Sequence, residues 1–283
     1  MAIENVSDTA RWVAVYRAME SARPDAIFRD PFAERLAGER GQQIVDTMKQ
    51  GRAFAWPMIV RTAVFDEIIL DAVRHRQVDL VVNLAAGLDA RPWRLPLPPA
   101  LHWVDVDLPG ILNHKTDMLR DEKTACRYEP VTLDLRDAAA RRELFARLGA
   151  GAKRALVVAE GLLIYLAPEQ VANLATDLHE PPSFQEWLVD LASPQLVKRM
   201  SKTWGKNVAA GGAPFLFAPA EGSDFFRPYG WREGIFRGTW EEAQRLNRTM
   251  KGAWVWNLIG KISSKKAREK FRRFAGYALL ERV

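Results

Sequence analysis

The chain has 283 residues, 48% hydrophobic and 27% charged, with a formal net charge of +6, a make-up that fits a globular domain with a sizeable core and excludes a disordered or fibrous chain. No uncharged apolar run approaches the roughly 18 to 20 residues of a membrane helix, and the first residues lack the basic start and apolar stretch of a secretory signal. The single cysteine, Cys126, rules out an intramolecular disulfide and argues against a cysteine-based metal site, so a reducing, cytoplasmic setting with no membrane partner is expected.

Residues 1–76 read as a helical cap. Ser7 can cap a helix to about Ala22, in which Trp12, Val15, Tyr16 and Met19 recur at three- and four-residue steps. Asp30-Pro31 reads as the next helix start, with Asp30 as N-cap. A longer helix follows Pro57, with Ile59, Val60, Ala63, Phe65, Ile68, Ile69 and Ala72 as a broad apolar face.

From residue 77 strands and helices alternate. Strands are expected at Val78–Leu84, Leu101–Val106, Cys126–Leu133, Ala155–Ala159 and Phe184–Leu191, and a closing one at Tyr277–Val283. Helices are expected at Leu108–Asp121, Asp137–Leu148 with Asp137 as cap, Pro168–His179, and Thr239–Arg248 with Thr239 as cap. Such alternation predicts an α/β fold with a doubly wound, mainly parallel sheet, whose ligand lies beyond the carboxyl ends of the strands. Asn207–Ala220, with tandem glycines, two prolines and no charge, reads as a long loop inside a lid-like insertion around residues 195–235.

Polar residues gather at the expected strand ends. Ala85-Ala86-Gly87 forms a tight turn after the first strand, and Asp107 follows the second, about 20 residues after Gly87, a spacing that suits a carboxylate on a ribose. Asp134-Leu135 and Glu160-Gly161 follow the third and fourth. Asp107 could accept from two ribose hydroxyls and Asp134 from an exocyclic amine, although either aspartate could instead cap a helix. One glycine in that turn is a weak signal alone.

Six ordered motifs add to it: Ser7-Asp8-Thr9-Ala10, Phe28–Ala33, Arg61-Thr62, Val81–Arg91, Val106-Asp107-Leu108-Pro109 and Ala159–Leu166. Together they resemble the leucine carboxyl methyltransferase family, and more narrowly its bacterial branch, which includes tetracenomycin-type polyketide O-methyltransferases. The resemblance spans roughly residues 6–180. It implies a class I S-adenosylmethionine-dependent methyltransferase with a seven-stranded sheet and an N-terminal helical cap. On that resemblance Gly87, with Ala85 in the same turn, underlies the methionine part of the cofactor and Asp107 holds the ribose. Asp134 and Leu135 contact the adenine, and Glu160 lies beside the methionine amine. Arg61 matches an arginine facing the cofactor carboxylate, a pairing that a planar guanidinium makes in bidentate fashion; a surface role is the alternative.

The chain departs from the family pattern at Ala85, where glycine is usual, and at Ala90, where threonine is usual. A methyl at position 85 would push a cofactor outward if that backbone approaches it closely or takes a positive φ. The turn tolerates alanine, or cofactor affinity is reduced, or the chain no longer catalyses.

The expected reaction is O-methylation of a carboxylate or hydroxyl on a small molecule. None of the four histidines falls in a strand-end motif, which suits a carboxylate acceptor already ionised at neutral pH. Arg61, Tyr16 and Tyr165 are the candidates for the acceptor side. Ten tryptophans, with Trp204, Trp231, Trp240, Trp254 and Trp256 in the last third, either pack the structure or line a pocket for a flat substrate. Two other classes stay open. A nicotinamide-dependent oxidoreductase shares the strand–turn–helix and distant aspartate, but the turn lacks the second and third glycines. The basic segment Lys261–Arg273 permits an RNA-binding methyltransferase, although a solvated helix face explains it and no RNA-binding signature supports nucleic acid as a partner.

Overall fold

The computed structural model describes residues 7–47, 51–210, 214–250, 252 and 264–283. Its helices are α1 (Ser7–Ser21), α2 (Ala33–Thr47), α3 (Ala55–His75), α4 (Arg91–Arg94), α5 (Pro109–Met118), α6 (Ala138–Ala150), α7 (Pro168–His179), α8 (Pro194–Ala210), α9 (Thr239–Arg245) and α10 (Lys265–Arg272). The strands are β1 (Leu80–Leu84), β2 (His102–Asp107), β3 (Arg127–Thr132), β4 (Ala155–Ala159), β5 (Phe184–Ala192), β6 (Trp231–Gly238) and β7 (Ala275–Arg282). No helix among the described residues is long and apolar enough to cross a membrane.

The apolar runs of β1 and β4 are buried along their whole length because both faces of a parallel sheet are covered. Alternate residues serve different cores. Leu80, Val82 and Leu84 face α6, α7 and the segment around Phe217 and Phe226, whereas Val81 faces α3 and α9. The seven strands run in the order β3-β2-β1-β4-β5-β7-β6, with β7 antiparallel between β5 and β6. The chain reverses its winding between β1 and β4, which opens a crevice at their carboxyl ends. The expected doubly wound sheet is therefore present.

Trp12, Val15 and Tyr16 of α1 pack with Leu36 and Ile44 of α2 and Ile59 of α3, and this cluster also takes in Leu88 and Ile111. The N-terminal helices thus roof the crevice. All seven apolar residues expected on one face of α3 are buried.

Three local expectations need correction. α2 starts at Ala33 and not at Pro31: Asp30 accepts from the Phe32 amide at 3.1 Å as a cap would, but the Pro31-Phe32 step is a turn ahead of the helix, and the other Asp30 oxygen holds Arg17 at 2.8 Å. Thr239 is the first residue inside α9 rather than its cap, and the helix ends at Arg245, after which Asn247 turns left-handed at φ 56°. Asn207–Ala210 belongs to α8, so only residues 214–220 remain of the expected loop; 211–213 lie outside the described residues. β6 is not among the expected strands; a register shift between Glu233 and Ile235 interrupts its alternation. Asp137 does cap α6, accepting from the amides of Ala139 and Ala140.

Candidate active site

A cavity of about 1350 Å³ fills the crevice between the strand ends and the helical roof. Its floor is the β1–α4 turn. Ala85 and Gly87 both adopt φ 51°, a left-handed conformation in which glycine is at ease and alanine is strained. A Cβ at position 87 would lie 3.0 Å from the Ala10 methyl of α1, so glycine is also needed there for close packing. The turn presents the Gly87 amide to Asp107 Oδ2 at 2.6 Å, while Leu108 N–H donates to Oδ1 at 2.7 Å. An ionised carboxylate has about four acceptor positions, so each oxygen keeps one for a ligand. Burial pushes the Asp107 carboxyl above its usual range, against the pull of those two amides.

Glu160, after β4, accepts from Arg61 Nε at 3.0 Å and lies 2.8 Å from Arg91 Nη1. Arg61 also reaches Asp190 Oδ2 at 2.9 Å, and the Gly161 amide donates to the other Asp190 oxygen at 2.7 Å. Arg61 is therefore a cavity residue and not a surface one, but two of its donors already serve protein carboxylates. Gly161 has φ 68°, and a Cβ there would lie 3.0 Å from Arg61 Nη1.

The ion pairs continue inward. Arg91 binds Asp89 and Asp66, each at 2.6 Å, and Arg94 grips both Asp66 oxygens at 2.6 and 2.7 Å. Burial works against ionisation of Asp89, but Arg91 and the neighbouring cations outweigh it and hold the carboxyl down at about 2. Beneath the turn, Asn83 donates to Asp89 and Asp105, and Lys115 pairs with Asp105 at 2.7 Å in full burial. These contacts fix the turn from below.

Asp134 and Leu135 also line the cavity, but Asp134 is partly exposed and paired with Arg136 at 2.6 Å, which keeps its carboxyl low. Tyr16 and Tyr165 line the roof. Tyr16 donates to the Gly51 carbonyl at 2.6 Å, and burial pushes its phenol to about 12. Tyr165 stacks on Phe215 and is likewise pushed to about 12 by burial, with nearby Arg61 opposing. Tyr277, raised by burial too, was not singled out from the sequence; neither were Asp190, Asp89 and Asp66. Asp190 carried a usable signal, an acid near the end of an apolar strand. No histidine is among the cavity residues.

Of the late tryptophans, Trp231 is core, bonded to the Ala175 carbonyl, and Trp240 lines the cavity beside Trp56. The Trp204 side chain, Trp254 and Trp256 lie outside the described residues. The described part of the basic segment is a solvated helix in which Arg272 and Arg273 pair with Glu241, Glu233 and Glu269.

A family model described as leucine carboxyl methyltransferase matches residues 10–179, more than half of the chain and the part that builds the roof, the turn and the strand ends to β4. The chain belongs to the leucine carboxyl methyltransferase family. A relative from Mycolicibacterium smegmatis, named provisionally as an S-adenosyl-L-methionine-dependent methyltransferase, is 35% identical over 192 residues, 62% of this chain and 63% of the relative. The match thus spans less than two thirds of that protein. A relative of the same name from Mycobacterium marinum is 30% identical over 268 residues, 82% of this chain and 84% of the relative. Among solved structures, a DUF574 family protein from Streptomyces avermitilis superposes with a TM-score of 0.60 at 14% identity, covering 95% of this chain and 97% of that one. A protein from Thermobifida fusca, titled provisionally a methyltransferase, gives 0.56 at 13%, covering 95% and 94%. At those identities the likeness is one of fold, and it is the class I methyltransferase fold. The cofactor that goes with the family is S-adenosylmethionine.

Proposed function

We propose that the protein is an S-adenosylmethionine-dependent methyltransferase that methylates an oxygen, carboxylate or hydroxyl, of a small molecule with an apolar body. The observation carrying this reading is the Asp107 carboxylate, held by the Gly87 and Leu108 amides at the strand ends, with free acceptor positions toward the cavity. That arrangement fits a ribose diol.

In this reading Asp134 and Leu135 flank the adenine, and Gly87 and Ala85 lie under the methionine portion. Glu160 and Asp190, both anionic and both at the cavity wall, attract its ammonium, while Arg61 between them offers its remaining donors to the carboxylate. The cofactor supplies both the electrophilic methyl group and the leaving group. The chain has to align the acceptor oxygen and keep water away, and the roof of α1 and α3 suits both tasks. Tyr16 and Tyr165, pushed to about 12, stay protonated at neutral pH and do not act as bases; the Tyr16 proton is held by the Gly51 carbonyl, so Tyr165 is the one of the two left to donate to the acceptor. With no histidine on the wall, the groups present suit an oxygen that is already ionised, which favours a carboxylate over a phenol.

Incubation with methyl-labelled cofactor and a panel of aromatic acids and phenols tests the reaction; label transferred only to nucleic acid refutes it. Calorimetry with S-adenosylhomocysteine and NAD tests the cofactor, and binding of NAD alone refutes it.

A further inference from the structure

The cavity has two chemically different halves. In the inner half every charge has a partner: Asp89, Glu160 and Asp190 bind arginines, Asp107 binds two amides, and Asp134 binds Arg136. The outer half is formed by α8 on one side and by α9, α10 and the start of β7 on the other. There α8 presents Arg199 and Lys202 to the cavity, and neither has a carboxylate partner among the described residues. Arg199 is nevertheless positioned. Its guanidinium lies 5.6 Å from the centroid of the Phe274 ring, which stacks on Phe271 at 6.5 Å. Trp240 packs edge-on against Phe271 and continues this aromatic wall toward Trp56.

The distribution of exposed apolar groups points to the same place. Only five large hydrophobic side chains among the described residues are notably exposed, and three of them, Leu216, Met250 and Phe271, line this cavity. Exposed apolar side chains that share one cavity wall mark a binding surface more often than scattered exposure does. On the same cavity wall, the two α8 cations, both exposed to solvent, set the sign of the ligand.

We infer that the outer half of the cavity binds an amphipathic anion, an aromatic or other flat apolar body bearing an anionic group, with Arg199 and Lys202 of α8 taking the anion and Phe271 and Trp240 the apolar body. This names the acceptor class of the proposed methyltransferase and rests on that reading only for calling the ligand an acceptor. The recognition itself requires no reaction. A neutral molecule of the same shape leaves two cations unpaired, so the site discriminates by charge as well as by area.

The test is a fluorescence titration of the full chain with 1-anilinonaphthalene-8-sulfonate and with N-phenyl-1-naphthylamine, the same ring system without the sulfonate. The anionic probe should bind about tenfold more tightly. The double variant Arg199→Gln/Lys202→Gln should remove that advantage and leave the neutral probe within about twofold, while Phe271→Ser should weaken both probes. Lys265→Gln/Lys266→Gln on the exposed face of α10 serves as the control and should change neither. Equal affinity for the two probes overturns the inference, and so does an α8 variant that binds the sulfonate as the parent does. An α10 control that weakens the sulfonate equally overturns it as well, since a diffuse positive surface would then be responsible. Calorimetry with S-adenosylhomocysteine on the same samples separates the two claims: loss of cofactor binding with the anion preference intact refutes the methyltransferase and not this site.

Discussion

Replacing Ala85 by glycine should stabilise the protein and tighten its cofactor site. Ala85 lines the cavity at φ 51°, where a Cβ crowds the following carbonyl at a cost of about 1–2 kcal/mol. Glycine removes that strain but gives the unfolded chain more freedom, which takes back about 0.4–1 kcal/mol. The net gain is then between about 0 and 1.6 kcal/mol, or up to about 4 °C in Tm for a chain of this size. The strain is relieved on the floor of the cavity, and a methyl leaves the surface on which the cofactor is proposed to lie. Affinity for S-adenosylhomocysteine should therefore increase, by up to about tenfold. Ala85→Val supplies the opposite perturbation, because a β-branched residue at positive φ is a true outlier; it should cost more than about 2 kcal/mol. Thermal unfolding and calorimetry read all three proteins. A glycine variant that melts lower than the parent, or that binds S-adenosylhomocysteine more weakly, refutes the reasoning. It would mean that the Ala85 methyl makes packing contacts worth more than the strain.

Asp107→Asn turns an NH2 donor toward one of the two backbone amides that the carboxylate accepts from, so it should cost about 1–3 kcal/mol in stability and weaken S-adenosylhomocysteine binding more than about tenfold, as measured by thermal unfolding and calorimetry. Because the Asp107 carboxyl is raised in the folded protein, it protonates at a higher pH than an ordinary carboxylate. Cofactor binding should thus begin to fail, as pH falls, above 3.8. Asp89 behaves the other way. Its carboxyl is held at about 2 against an ordinary 3.8, so it contributes about 2 kcal/mol of stability that is present above 3.8 and lost as pH falls toward 2. Urea unfolding of Asp89→Asn should show that deficit at pH 7 and a smaller one at pH 3. Gly161→Ala combines a φ of 68° with a methyl 3.0 Å from Arg61 Nη1; it should cost about 1–3 kcal/mol in thermal unfolding and displace the guanidinium enough to weaken S-adenosylhomocysteine binding.

The parts of this molecule that were legible in the sequence share one property: their signal is local. The buried runs of β1 and β4, the apolar face of α3 and the cap at Asp137 each follow from a few neighbouring residues, and all stand as expected. The concern over Ala85 was local too, because a turn that ends a strand and approaches a ligand must bend through left-handed backbone, and it does. Where a distant partner decides, the reading stopped short. Asp30 has the sequence of an N-cap and takes the Phe32 amide, but its second oxygen holds Arg17, and α2 starts three residues after it. Arg61 is the sharper case. The resemblance placed it opposite an external carboxylate; it lines the cavity, but its charge is already answered from within the chain. Glu160 and Asp190, 99 and 129 residues away, reach it from the ends of two other strands. An arginine between two carboxylates has a different task from an arginine that faces a ligand alone. In the proposed function it neutralises the wall that would otherwise repel the cofactor's carboxylate, while leaving negative charge there to draw in its ammonium. Spacing along the chain shows which residues reach a strand end, but only the fold shows how much of each charge is left for a ligand.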